Sequence, residues 1–171
     1  MTDTLAALIN AQDGHAPAIG APGRAWLDYA GLARQAAHVT EALHDAGVGR
    51  GDRVAIVLPN GPEMAAAFVT VAQSATTCPL NPAYKEDEFA FYLEDLRAKA
   101  IILAEGEAGA AHAAAKAQGL TIIRLAVDTA QPAGRFTLRA ETSAGTADTT
   151  QPGADDVALI LHTSGTTSRP K

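Results

Sequence analysis

The most constraining feature is a set of short runs apolar on both faces. Arg53–Leu58 reads Arg-Val-Ala-Ile-Val-Leu. Successive side chains of a strand point to opposite faces, so such a run must be covered on both sides, as parallel strands are. Further strand-like runs follow at 76–80, 100–103 and 120–125, and 156–161 reads as another apolar strand. Helix-like segments separate the first four. Met64, Phe68, Val71 and Ala75 recur at helical spacing, Phe89, Leu93 and Leu96 do so within 86–97, and 107–118 is alanine-rich. Repeated strand–helix units predict an α/β fold with a doubly wound, mainly parallel sheet flanked by helices.

The N-terminal part differs. Residues 4–11 predict a short helix. Ala21-Pro22-Gly23, between 18–20 and 25–27, predicts a small hairpin on which Trp26 packs against the body. Asp28 can cap the next helix, whose stripe is Leu32, Ala36, Val39 and Leu43 and whose end is Gly47. The pattern weakens over 126–155, predicted as an irregular surface connection with one edge strand at 136–139. Residues 156–171 then read as a strand plus a loop.

That loop, Thr163-Ser164-Gly165-Thr166-Thr167-Ser168-Arg169-Pro170-Lys171, carries the chemical signal. Five hydroxyls, a glycine that lets backbone approach a ligand and two cations suit a polyphosphate. Ligands of open α/β sheets bind outside the carboxyl ends of strands, where strand 156–161 would deliver this loop. It is not a Walker loop: no second glycine stands five residues after Gly165.

The bulk numbers set bounds. With 171 residues, one domain is the expectation, able to bury roughly 70% of its unfolded surface. Thirteen Lys+Arg against 19 Asp+Glu give −6, which argues against nucleic acid or an anionic membrane surface as partner. The single Cys78 cannot form an internal disulfide and reads as a small buried hydrophobe. Neither a secretory leader nor a membrane-spanning run is evident, so the expected setting is the cytoplasm. The other histidines, His15, His38, His44 and His112, lack metal-ligand spacing, and no metal residue is assigned. His162 reads as a strand-end histidine held by hydrogen bonds, with ligand contact as the alternative. Arg50-Gly51-Asp52 reads as a turn. Tyr84, Phe89, Phe91 and Tyr92 read as packing.

The order of residues in 161–171 resembles the phosphate-loop signature of the acyl-CoA synthetase, peptide synthetase and luciferase superfamily. Ser168 stands where the general pattern has glycine. Gly51-Asp52-Arg53-Val54-Ala55-Ile56, Pro59-Asn60-Gly61-Pro62-Glu63 and Cys78-Pro79-Leu80-Asn81-Pro82-Ala83-Tyr84 extend the likeness. The wording of 79–89, with Ser168, is most similar to the oxalate–CoA ligase branch. The resemblance implies ATP-dependent activation of a carboxylic acid to an acyl-adenylate, followed by transfer to coenzyme A. It assigns nucleotide-phosphate contacts to Thr163, Ser164, Gly165, Thr166, Thr167 and Lys171, with Mg²⁺ near a threonine hydroxyl.

It also implies that 1–171 is the first subdomain of the adenylate-forming ligase fold, an N-terminal fragment of the AMP-binding domain with the C-terminal domain absent. The family's catalytic residues lie beyond it, so the chain alone is expected not to complete the reaction, and its cut sheet to favour self-association. Two alternatives stand: a fatty-acid–CoA ligase fragment, or a non-catalytic α/β module that binds nucleotide weakly or mediates association.

Overall fold

The computed structural model describes residues 4–143 and 145–162. The chain opens with α1 (Leu5–Asn10), the hairpin strands β1 (Pro17–Ile19) and β2 (Leu27–Asp28), and α2 (Tyr29–Asp45). There follow β3 (Arg53–Val57), α3 (Pro62–Val71), β4 (Thr76–Pro79), α4 (Glu86–Leu96), β5 (Ala100–Ala104), α5 (Ala110–Ala117), β6 (Thr121–Ala126) and β7 (Thr137–Ala140). The main sheet has the order β4-β3-β5-β6-β7. Its first four strands pair in parallel, and β7 returns antiparallel to β6.

Both faces are covered, as the apolar runs require. Val54 and Ile56 of β3 pack with α2 and α3, beside Ile102 and Ile123. Ala55 and Val57, one residue out of phase, pack with α4 and α5, beside Ile101 and Leu103. The strand order reverses beside β3: the chain steps from β3 outward to β4, then crosses back to β5.

Local chemistry sets the helix ends. The Asp28 carboxylate accepts from the Gly31 amide at 2.6 Å, the predicted N-cap of α2. At the other end the Val48 amide donates to Leu43 O and Gly47 to His44 O, a paired closure with Gly47 at φ +80°. Helix α4 closes the same way, with Ala98 donating to Leu93 O and Arg97 to Glu94 O. There the left-handed position holds a non-glycine, Arg97 at φ 48°.

The structure departs from the sequence expectation in three places. In α3 the deepest residues are Ala66, Ala67, Thr70 and Val71, while Met64 and Phe68 are only partly buried. Small side chains let the helix sit close to the sheet, and the Thr70 hydroxyl is satisfied by Ala66 O at 2.7 Å. Trp26 is 64% exposed rather than packed on the body. Leu27 takes the inward position of the alternating pair, and the indole instead lies over Gly20 across the hairpin.

The third departure concerns 156–161. Only Leu159 forms a bridge, parallel to Thr77. Thr77 donates to Ala158 O at 3.0 Å and accepts from the Ile160 amide at 3.1 Å. In a parallel ladder the next donor on this edge is residue 79. Pro79 has no N–H, so the ladder stops after one rung.

The 126–155 connection contains β7 as its edge strand, one residue later than predicted. Farther on, Asp148 O accepts from the Arg50 amide at 3.0 Å, and the Arg50 Nε pairs with Asp156 Oδ2 at 2.9 Å. Residues 148–160 thus form a strap tied to the 49–52 turn at one end and to β4 at the other.

Candidate functional site

In an open α/β sheet the ligand crevice lies outside the carboxyl ends of the strands, where the strand order reverses. Here the carboxyl ends of β3, β4 and β5 lead into 58–61, 80–85 and 105–109. Pro62 starts α3 directly after Gly61, and the Lys85 amide, at the N-cap of α4, donates to Glu88 Oε2 at 2.9 Å. The charged side chains these connections place at the rim are Lys85, Glu105 and Glu107. Glu105 reaches Arg139 at 3.5 Å, and Glu107 accepts from the Gly109 amide at 2.5 Å. Arg139 and Arg124, whose guanidinium donates to Ala104 O and Glu107 O, offset these carboxylates, so the described rim carries no strong charge of either sign.

The residues to which the sequence assigns the phosphate contacts, Thr163, Ser164, Gly165, Thr166, Thr167 and Lys171, lie outside the described residues. What the structure does describe is how the chain approaches them. Beyond Ile160 it leaves the sheet and lies on α4. His162 Nε2 meets Asp95 Oδ2 at 2.9 Å. Its ring stands edge-on to Tyr92, with centroids 4.7 Å apart. Tyr92 in turn stacks on Tyr84 at 4.8 Å, and Phe89 meets Tyr84 edge-on at 5.8 Å. Tyr84, Phe89 and Tyr92 pack, as expected from sequence, and also build the surface that receives His162; Phe91, also expected to pack, touches Tyr92 edge-on at 5.3 Å but is 40% exposed.

Asp95 is the member of this cluster that sequence reading missed. The signal was available, because Tyr92 and Asp95 are three residues apart on one helix and so share a face. Cys78 is fully buried, and burial pushes its thiol up to about 11. It behaves as a core residue, not a nucleophile. Arg50-Gly51-Asp52 is a turn, with the Asp52 amide donating to Gly49 O at 3.0 Å and Asp52 Oδ2 bound to Lys99 Nζ at 2.8 Å. Among the described residues no three His, Cys, Asp or Glu side chains converge as a metal site, and no helix is long and apolar enough to cross a membrane.

This chain, whose doubly wound frame leads from the β4 edge toward the hydroxyl-rich sequence 163–171, matches a known family. The AMP-binding enzyme family matches residues 7–171, and the chain belongs to it. Among curated relatives it is similar to an oxalate–CoA ligase of Arabidopsis thaliana, 38% identical over 131 residues, covering 75% of this chain and 26% of that protein. It is also similar to a long-chain-fatty-acid–CoA ligase, FadD13, of Mycobacterium tuberculosis, 31% identical over 150 residues, covering 82% of this chain and 27% of that protein. Among solved structures, ATP-bound MatB of Rhodopseudomonas palustris aligns with a TM-score of 0.77 at 29% identity, covering 100% of this chain and 34% of that one. The chain thus spans about a quarter to a third of the length of the proteins it matches.

Proposed function

We propose that this chain is the N-terminal part of an ATP-dependent acid–CoA ligase and supplies its pyrophosphate-binding loop. In this reading a carboxylic acid attacks the α-phosphorus of ATP, an acyl-adenylate forms and pyrophosphate leaves. Coenzyme A then displaces AMP. The observation that carries the reading is the order of residues in 163–171 within a family match that runs through them.

Thr163, Ser164, Gly165, Thr166, Thr167 and Lys171 would contact the β- and γ-phosphates. Their donors would stabilise charge on the departing pyrophosphate, a role for preorganised dipoles and cations. Mg²⁺ fits the same set, because hydroxyl and phosphate oxygens are the hard ligands it takes. Arg169 and Lys171 would supply the cationic charge of the loop. Oxalate or another small acid is the favoured substrate, supported by the 79–89 wording and by the relatives named for oxalate. A fatty acid is the second reading, supported by the likeness to the mycobacterial ligase. The setting is cytoplasmic, and the 171-residue chain alone does not complete the reaction and tends to self-associate.

ATP–pyrophosphate exchange with a panel of small dicarboxylic and fatty acids tests this. The chain alone is expected to show none. Joined to the remaining two-thirds of a related ligase, it is expected to support exchange that Lys171→Ala reduces at least tenfold, since the loop cation sits close to developing charge. Exchange by the isolated chain would overturn its proposed incompetence. Unchanged exchange in the Lys171→Ala chimera would overturn the loop assignment.

A further inference from the structure

The chain between the sheet and the loop has few fixed points. Ile160 makes the last sheet hydrogen bond, to Thr77 O. Leu161 is 57% exposed and holds nothing down. Among the described residues, His162 is the next anchor, and only its side chain provides it.

That side chain is unusually well seated. It is 10% exposed, edge-on to Tyr92 and bonded to Asp95 through Nε2. A carboxylate only accepts, so Nε2 carries the hydrogen. Nδ1 is buried and has no hydrogen-bond partner among the described residues. The platform beneath is rigid, because Phe89, Leu93 and Leu96 of α4 are each at most 2% exposed.

We propose that Asp95 is a positioning residue: by holding His162 in its Nε2–H tautomer against Tyr92, it fixes the backbone at the root of the 163–171 loop. This rests on the phosphate-loop reading for its purpose but not for its geometry. The partner nitrogen of an oriented histidine is set by the hydrogen bond the other makes, and here that bond leaves Nδ1 as an acceptor.

The test uses the 171-residue chain with ¹⁵N labelling. Long-range ring correlations report the His162 tautomer, and amide exchange at Ile160, bonded to Thr77 O, reports the fixing of the backbone, with Ala55 and Ile56 of β3 as controls on the fold. The Nε2–H tautomer is expected. Asp95 is 58% exposed, so Asp95→Ala and His162→Phe are expected to speed exchange at Ile160 only about two- to fivefold, the factor a solvent-screened pair carries, with β3 unchanged. His162→Gln, which keeps an N–H donor at the Nε2 position, is expected to restore protection. The Nδ1–H tautomer, or full protection in His162→Phe, overturns the proposal. A parallel titration with MgATP separates the two ideas. Absence of any shift in the loop counts against the phosphate reading, while the tautomer and exchange results still decide the seat.

Discussion

Replacing Gly49 by alanine isolates the tie that holds the 148–160 strap. Gly49 is buried and does not adopt a positive φ, so alanine carries no backbone strain of its own. The added Cβ would overlap the Asp148 carbonyl oxygen and lie 2.8 Å from its carbon and 3.0 Å from the Asp148 amide nitrogen. Ordinary contact begins at 3.4 Å. The obstacle is backbone rather than a rotatable side chain, so the strap must move and the Arg50 N–H to Asp148 O bond is lost. Two opposing effects set the magnitude. Alanine restricts the unfolded chain and would stabilise by about 0.4–1 kcal/mol. Overpacking costs about 1–3 kcal/mol, including the lost hydrogen bond. The cost outweighs the gain, giving a net loss of up to about 2.6 kcal/mol and a Tm up to roughly 10 °C lower for a chain of this size. The Arg50–Asp156 pair is partly exposed and adds little. Urea unfolding gives the free energy, and hydrogen exchange at Arg50, Ala158 and Ile160 shows where it falls. A Gly49→Ala chain as stable as the parent, with the Arg50 amide still protected, would refute the close approach and the strap with it.

Other outcomes follow from the same structure. Arg97→Gly is expected to stabilise by about 1 kcal/mol by removing a left-handed non-glycine at the end of α4, read as a higher urea midpoint; a lower midpoint would mean that the Arg97 side chain contributes more than its conformation costs. The Arg124 guanidinium, bonded to Glu141 at 2.7 Å, holds that carboxyl below its ordinary value. Its stabilisation is therefore present above the unfolded carboxylate pKa and is lost as pH falls through the depressed one. The gap in urea midpoint between the parent and Glu141→Gln should begin to close as pH falls through the ordinary carboxylate range and vanish below the depressed value, and a constant gap would exclude the pair as its source. Cys78, with its thiol near 11, should react with a disulfide reagent only as fast as the fold opens, and labelling at the rate of a free thiol would contradict its burial.

The parallel sheet was legible because β5, and β3 from Val54 on, are apolar at successive residues, a pattern that only a strand covered on both faces explains; β6 carries a buried Arg124 within its run. Asp28 and Gly47 marked the ends of α2 because each supplies a specific backbone partner or angle. The face of α3 was misread because hydrophobicity favours large residues, whereas close helix–sheet contact favours alanine. Trp26 was misread because size was weighed over alternation with Leu27. The strand at 156–161 was over-extended because its own residues are excellent strand formers; the limit lies across the ladder, in Pro79. At the candidate site the loop was legible as a motif, while its footing was not. Asp95 acts on His162 from 67 residues away, and only the fold brings the two together.

Pro79 has a meaning beyond the strand it shortens. An outer strand normally offers every second amide to any chain that drifts alongside, and that row of donors is what templates unwanted pairing. Along the outer side of β4, Thr77 spends its amide on Ala158 and Pro79 has none to give. If the strap were to peel away, the newly bared edge would offer a stranger one donor within the strand, too few to start a growing stack. The same proline that leaves 157–161 lightly held also makes losing it less dangerous.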